Sequence, residues 1–89
     1  MDISRTTETG HQRFRDFGLV AALVTKDFVI QKTEKDFKHV FFIFEDSSAL
    51  QDAVSQYWAN KLFVSARQYF DNTKMLKSRI YSEDTSYAS

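Results

Sequence analysis

Several residue types are absent or scarce in this chain of 89 residues. It contains no cysteine, which excludes disulfide bonds and thiolate metal sites. It has no proline and only two glycines, so neither a glycine-rich phosphate loop nor the Gly-x-Ser-x-Gly turn of serine hydrolases is present. No stretch approaches the roughly 20 apolar residues that cross a bilayer, and the first residues lack the apolar segment of a signal peptide. A cytoplasmic protein without a membrane anchor is therefore expected.

Neither sign of charge is in excess. Twelve basic residues balance twelve acidic residues, so no whole-molecule field draws the protein to nucleic acid or to an anionic membrane. A local patch of one sign is still compatible with this balance.

Aromatic residues are abundant: nine Phe, four Tyr and one Trp make up 16% of the chain. Each ring buries about 150–250 Å², so a few rings account for most of the core of a small protein. The length is sufficient for one domain and too short for two separate cores. We predict a single domain over residues 13–81, with a flexible polar arm at 1–12 and a flexible polar tail at 82–89.

The first apolar segment is expected to form a short buried helix. Asp16 suits its N-terminus, where the carboxylate accepts hydrogen bonds from the first backbone N–H groups. One helical face then holds Phe17, Val20, Ala21 and Val24. The β-branched residues and Gly18 weaken this interpretation, and a strand over residues 19–24 is the alternative.

A β-hairpin is predicted next, with strands over residues 28–33 and 37–45 and a charged turn at 34–36. Alternation places two sets of residues on opposite faces of the second strand: Phe37, His39, Phe41 and Ile43 on one, and Val40, Phe42 and Phe44 on the other. A strand that is apolar on both faces is usually covered on both. Each face therefore needs a partner, which is either the helices or another chain.

Two helices are predicted after the hairpin. The first has apolar residues at helical spacing: Leu50, Ala53, Val54, Tyr57 and Trp58. Asn60 suits its end, because Asn tolerates the left-handed conformation. Ser65 suits the N-cap of the second helix, which is expected to run to about Tyr81. Its apolar face consists of Ala66, Tyr69, Phe70, Thr73, Leu76 and Ile80. The predicted fold is α+β, in the order α-β-β-α-α.

The middle of the chain resembles an uncharacterised bacterial domain family of unknown function that is often encoded near phage and mobile-element genes. The likeness is carried by Asp16 and by residues 20–22, 40–46, 57–60, 64–70 and 76–79. Together they form a spaced pattern of aromatic and helix-capping residues rather than a catalytic signature. Family members often have Gly after the Asn that ends the middle helix, where this chain has Lys61, which leaves the sharpness of that turn open. The resemblance implies no known activity and no catalytic residue.

Catalytic and metal-binding sites are not expected. Without cysteine, a metal site would need His39 with Glu45 or Asp46, since His11 lies in the predicted arm; His39 and Glu45 are roughly 20 Å apart in an extended strand. Glu45 and Asp46 are adjacent, so their side chains point to opposite faces and suit helix capping better than acid–base catalysis. The chain is also short for a cofactor pocket of roughly 300 Å³ beside an intact core. We therefore expect no enzyme, no metal and no cofactor.

One local charge pattern favours nucleic-acid binding. Between Arg67 and Arg79 the last helix has four basic residues against one acidic residue, a net charge of +3. The possible contacts on this helix are Arg67, Lys74, Lys77 and Arg79, and the N-terminal region adds Arg5, Arg13 and Arg15. A solvated helix face that keeps a neutral protein soluble is the alternative explanation.

The aromatic residues also favour self-association. Exposed aromatic patches usually mark protein–protein contact, and an edge strand can pair across a two-fold axis. The possible interface residues are Tyr57, Trp58, Phe63 and Phe42. A self-contained core explains the same residues equally well. Our first hypothesis is a non-enzymatic protein-interaction module, a homodimer that acts as an accessory protein; the alternative is a small nucleic-acid-binding protein.

Overall fold

The structure, a computed structural model, describes the backbone of residues 10–88 and the side chains of residues 10–81. The elements are β1 (His11–Phe14), α1 (Phe17–Thr25), β2 (Ile30–Lys35), β3 (Val40–Glu45), α2 (Ser48–Trp58) and α3 (Ala66–Ala88). The strands form one antiparallel sheet in the order β1-β3-β2. The predicted α+β fold and its α-β-β-α-α order are confirmed, with one further strand at the start. Residues 1–9 of the predicted arm, and Ser89 of the predicted tail, lie outside the described residues.

Strand β1 was not predicted, because its sequence is mostly polar. It pairs with β3 from His11 opposite Glu45 to Phe14 opposite Phe42, so β3 becomes the central strand. Only Phe14 packs against the core, with its ring centroid 6.0 Å from that of Phe44. A four-residue strand with one core residue leaves almost no periodic signal in the sequence.

The predicted hairpin is confirmed, with its turn later than expected. The turn spans residues 36–39 and is closed by the backbone N–H of Asp36, which donates to the carbonyl of His39 at 2.9 Å. Phe37, predicted to lie in the second strand, is an exposed turn residue instead. The register between β2 and β3 shifts between Ile30 and Lys32, which is the signature of a β-bulge.

Residues 19–24, for which the sequence left a strand as the alternative, belong to helix α1. The Asp16 carboxylate accepts a hydrogen bond from the Leu19 N–H at 3.0 Å, as predicted for an N-cap. The five residues from Leu19 to Leu23 are all buried. Other elements therefore surround the helix, which is consistent with its apolar residues on all sides. The burial of these residues outweighs the low helix propensity of the sequence.

Helix α3 begins directly after the predicted cap Ser65, and helix α2 begins after Ser47 and ends at the predicted Asn60. The Ser47 hydroxyl accepts from the Leu50 N–H at 3.0 Å, and the Ser65 hydroxyl accepts from the Gln68 N–H at 3.4 Å. Asn60 has a φ of 64°, so it is the left-handed residue that ends α2 even though Lys61 follows it. Helix α3 continues past the predicted end at Tyr81 to Ala88.

The core lies between one face of the sheet and the three helices. It is built from buried residues of α1, β3, α2 and α3: Leu19, Val20, Ala21, Leu23, Phe42, Phe44, Leu50, Ala53 and Leu76. The helices thus cover the face of β3 that holds Phe42 and Phe44, as predicted for one of the two faces of this strand.

No described helix covers the opposite face of β3. Ile43 is nevertheless only 3% exposed, because long side chains of the neighbouring strands lie across it. The Arg13 guanidinium is 4.3 Å from the Phe41 ring centroid and 3.6 Å from the Glu34 carboxylate. The expectation that this face needs a helix or a second chain was therefore wrong for Ile43.

Candidate binding surfaces

The four predicted interface residues do not form one surface. Phe42 is 1% exposed and belongs to the monomer core, so its assignment to an interface was wrong. Tyr57 is half-buried, while Trp58 is 62% exposed and makes an edge-on contact with the Tyr57 ring, 5.0 Å between centroids. Phe63 is exposed on the connector before α3, where its carbonyl accepts a hydrogen bond from the Lys26 ammonium at 3.4 Å. Trp58 lies towards the start of α1, because the hydroxyl of the adjacent Tyr57 lies beside Gly18. Phe63 lies towards the end of α1, because its partner Lys26 directly follows Thr25.

Trp58 forms a wall of an open groove between β1 and α2, which we call the Trp58 groove. Its volume is about 310 Å³. The lining residues are uncharged and mostly apolar: Gln12, Phe14, Leu50, Gln51, Val54, Ser55 and Trp58. Such a groove suits apolar side chains of a partner, with polar Gln12 at its edge, while the Gln51 Nε2 donates to the Asp46 carboxylate at 3.0 Å.

The backbone of β1 has hydrogen-bonding groups that point away from the sheet. The Asp46 N–H donates to the Gly10 carbonyl at 2.9 Å, so Gly10 faces β3. Because the backbone groups of an antiparallel strand alternate in direction, those of Gln12 also face β3, while those of His11 and Arg13 face outward. Within the described part of the chain, no strand pairs with this outer edge of β1. The outer edge of β1 and the Trp58 groove are neighbours, since Gln12 and Phe14 of the same strand line the groove.

The outer edge of β2 is different. It carries charged residues, including Lys32, Glu34 and Lys35, and a bulge interrupts its pairing with β3. Charged residues and bulges are the usual features that prevent edge strands from pairing with another chain. Of the two sheet edges, β1 is therefore the one suited to pairing.

The Tyr57 hydroxyl lies where all three helices meet. A Cβ atom placed on Gly18 would be 2.8 Å from the Tyr57 hydroxyl and 3.3 Å from that of Tyr69. Tyr69 donates its hydroxyl hydrogen to the Gly18 carbonyl at 3.3 Å. Burial raises the pKa of Tyr57 above its usual value, and the nearby Asp16 carboxylate and Tyr69 raise it further. This junction is a packing contact between helices.

The predicted nucleic-acid contacts within the described residues lie in three parts of the molecule, and Arg5 lies outside the described residues. Arg67, Lys74 and Lys77 lie on the side of α3 that faces away from Leu76, whereas Arg79 lies off this stripe. Phe70, predicted to be part of the apolar face, is 61% exposed and lies on the same outward stripe.

Arg13 and Arg15 lie at different distances from that stripe of α3. Arg13 lies on the open face of the sheet, away from the helices, in the contacts with Phe41 and Glu34 described above. Arg15 lines a depression of about 410 Å³ together with Lys38, His39 and Ile80 of α3. Arg15 is thus close to α3, and Arg13 is not.

Among the described residues, no group of three or more His, Asp or Glu side chains is arranged to hold a metal ion. His39 is exposed, with its ring 6.2 Å from that of Phe41, and His11 lies opposite Glu45 across the sheet. No helix in the described part of the chain is long and apolar enough to cross a membrane.

A family model for a domain of unknown function, DUF5659, matches residues 12–82. The chain belongs to this family. No curated protein and no solved structure matches it. The DUF5659 match begins at Gln12 and therefore includes most of β1, the whole Trp58 groove and the described side chains of α3. The resemblance to a family of unknown function is confirmed, while its bacterial and mobile-element setting stays a prediction.

The sequence identified only part of the Trp58 groove. Leu50, Val54 and Trp58 belonged to the predicted stripe of α2, but Gln12 and Phe14 were missed because β1 was missed. The alternation of polar Gln12, charged Arg13 and apolar Phe14 is a signal of strand period, although it is too short to stand by itself.

Proposed function

We propose that this DUF5659 domain is a non-enzymatic protein-interaction module that self-associates as a homodimer through β1 and the Trp58 groove. The observation that carries the proposal is the exposed, uncharged groove beside the outward-facing backbone groups of β1. Extended segments that add to a sheet edge gain backbone hydrogen bonds from the strand and place alternate side chains in an adjoining pocket.

A second copy is the partner that the geometry of β1 favours. Antiparallel pairing about a two-fold axis at Gln12 places His11 of each copy opposite Arg13 of the other, so the outward backbone groups of both residues bond across the axis. Centring the axis on Arg13 would instead place two guanidinium groups directly opposite each other, which is unfavourable. The Gln12 register is therefore preferred.

The same pairing closes the groove. A two-fold axis perpendicular to the sheet puts both α2 helices on one side of a continuous sheet, next to the axis. Val54 and Trp58 of the two copies then share the space between the helices and the paired β1 strands. Burying these side chains supplies the apolar contact that a short strand pair needs, because a two-stranded contact alone is marginal in water.

We also propose a mode of action and a location for the domain. The domain acts by binding rather than by catalysis, and it works in the cytoplasm as an accessory protein. Both statements are supported by composition, namely the lack of cysteine and of glycine-rich catalytic turns.

Light scattering coupled to size exclusion, over a range of micromolar concentrations, tests the dimer. The wild-type chain is expected to approach twice its 10.4 kDa mass as concentration rises. Gln12→Lys places two ammonium groups opposite each other at the axis and should give a monomer. Gln12→Thr is the matched control, since it introduces a neutral residue with high strand propensity and should leave the dimer intact.

Fluorescence gives an independent measurement, because Trp58 is the only tryptophan in the chain. Its emission should shift to shorter wavelength as the wild-type protein is concentrated, and Gln12→Lys should abolish the shift. A monomer mass at the highest concentration, or equal dimerisation of the Lys and Thr variants, would show that this interface is wrong.

A further inference from the structure

The outward stripe of α3 combines three cations with two aromatic rings. Arg67, Phe70, Lys74, Lys77 and Tyr81 recur at intervals of three and four residues, so they form one line along the helix. At 1.5 Å per residue this line is roughly 20 Å long. We call it the α3 stripe. All five residues are exposed, and Phe70 is 61% exposed.

Asp71 is the acidic residue next to the stripe, four residues after Arg67 and three before Lys74, but it forms no ion pair with either. Within residues 10–81, neither Arg67, Lys74 nor Lys77 forms an ion pair. The Lys74 ammonium instead lies 5.2 Å from the centroid of the Phe70 ring. A cation held beside an exposed ring presents a positive charge and a flat apolar face at the same place.

A second copy of the chain does not suit this surface. Spacing of three and four residues is that of a coiled-coil seam, but such a seam requires apolar side chains at these positions. Here three of the five positions are cations, so pairing two stripes would bring like charges together without neutralisation. The partner must be anionic and must also offer something for the rings to contact.

We propose that the α3 stripe binds single-stranded nucleic acid. Phosphate groups contact Arg67, Lys74 and Lys77, and an unpaired base stacks on Phe70. Single strands are favoured over duplexes because the bases of a duplex are already stacked on each other and cannot cover the ring. This site uses a different surface from the proposed dimer contact at β1 and does not depend on it.

Binding is measured by fluorescence anisotropy with labelled single-stranded oligothymidine and oligouridine, and with a DNA duplex of equal length, at about 50 and about 200 mM salt. Both single strands should bind more tightly than the duplex. With three phosphate contacts, the slope of log affinity against log salt should be about −2.

Charge variants test which cations take part. Lys74→Gln should make the salt slope less negative by about 0.7, since it removes one phosphate contact. Arg79→Gln is the matched control, because it removes one charge from the same helix but off the stripe. Circular dichroism is used to check that each variant remains folded.

Ring variants test stacking. Phe70→Leu should weaken single-strand binding roughly 5- to 150-fold, while Phe70→Tyr should retain it, because only the tyrosine keeps a π-face. The proposal is overturned by any of three results: no binding at low salt, duplex binding as tight as single-strand binding, or equal effects of Lys74→Gln and Arg79→Gln.

Discussion

Gly18 is the second residue of helix α1, at a position where a larger side chain has little room. In most helix interiors glycine is less favourable than alanine by roughly 0.5–1 kcal/mol, because it loses more backbone freedom on folding. Here an added Cβ would be 2.8 Å from the Tyr57 hydroxyl, which belongs to a ring fixed between helices. The absence of a side chain at Gly18 therefore allows α2 and α3 to approach α1.

Gly18→Ala is expected to lower the free energy of unfolding by about 1 kcal/mol, since overpacking typically costs about 1–3 kcal/mol and offsets the gain in helix propensity. Urea denaturation of a double-mutant cycle checks the cause. In a Tyr57→Phe background, where the hydroxyl is gone, the same alanine should be neutral or stabilising. An equal loss in both backgrounds would show that Tyr57 is not the obstacle.

Tyr57 also makes stability depend on alkaline pH. Its folded pKa is raised above the ordinary value of about 10, so the folded state holds the proton more tightly than the unfolded state does. This contribution is fully present below about pH 10 and is lost as the pH rises through the folded pKa. Unfolding midpoints in urea should therefore fall more steeply above pH 10 for the wild type than for Tyr57→Phe. Identical pH profiles for the two proteins would contradict this.

At the scale of elements, the starts of the helices and the end of α2 were the most predictable features. Asp16, Ser47 and Ser65 accept hydrogen bonds from nearby backbone N–H groups, and Asn60 adopts the left-handed conformation. Capping depends on a few neighbouring residues, so the sequence contains nearly all of the information. Strand β1 is the opposite case, because it exists through its pairing with β3.

Asn60→Gly tests the end of α2. At a φ of 64° glycine has no Cβ to clash with the backbone, so we expect thermal or urea unfolding to show a gain of about 0.5–1 kcal/mol. Ala59 is the matched control, because it precedes Asn60 at the same helix end and has a φ of −85°. Ala59→Gly should therefore give no gain, and a similar gain from both changes would contradict the explanation.

At the scale of the whole molecule, three helices on one side of a three-stranded sheet produce two unlike faces. The face covered by the helices holds the core. On the other face, long charged side chains lie near Phe41 and Ile43. This arrangement separates the aromatic residues into buried rings, such as Phe42 and Phe44, and exposed rings, such as Trp58 and Phe70.

The separation predicts unequal losses of stability. Phe42→Ala should lower the free energy of unfolding by about 3–5 kcal/mol, because it leaves a cavity in the core. Trp58→Ala should cost less than about 1 kcal/mol in a monomer, since the side chain is largely exposed. Urea denaturation in the Gln12→Lys background excludes effects of the proposed dimer. Equal losses at the two positions would place Trp58 in the core after all.

The sequence by itself determined the fold class, the β2–β3 hairpin, the helix caps and the local basic charge of residues 67–79, because these depend on local periodicity and on residues close together in the chain. Only the tertiary structure decided that Phe42 is buried and Trp58 exposed, although both lie in predicted apolar stripes. It also decided that Gln12 and Phe14 share a groove with α2. Burial and shared surfaces depend on which elements pack together across distant parts of the chain, and no short window of sequence contains that information.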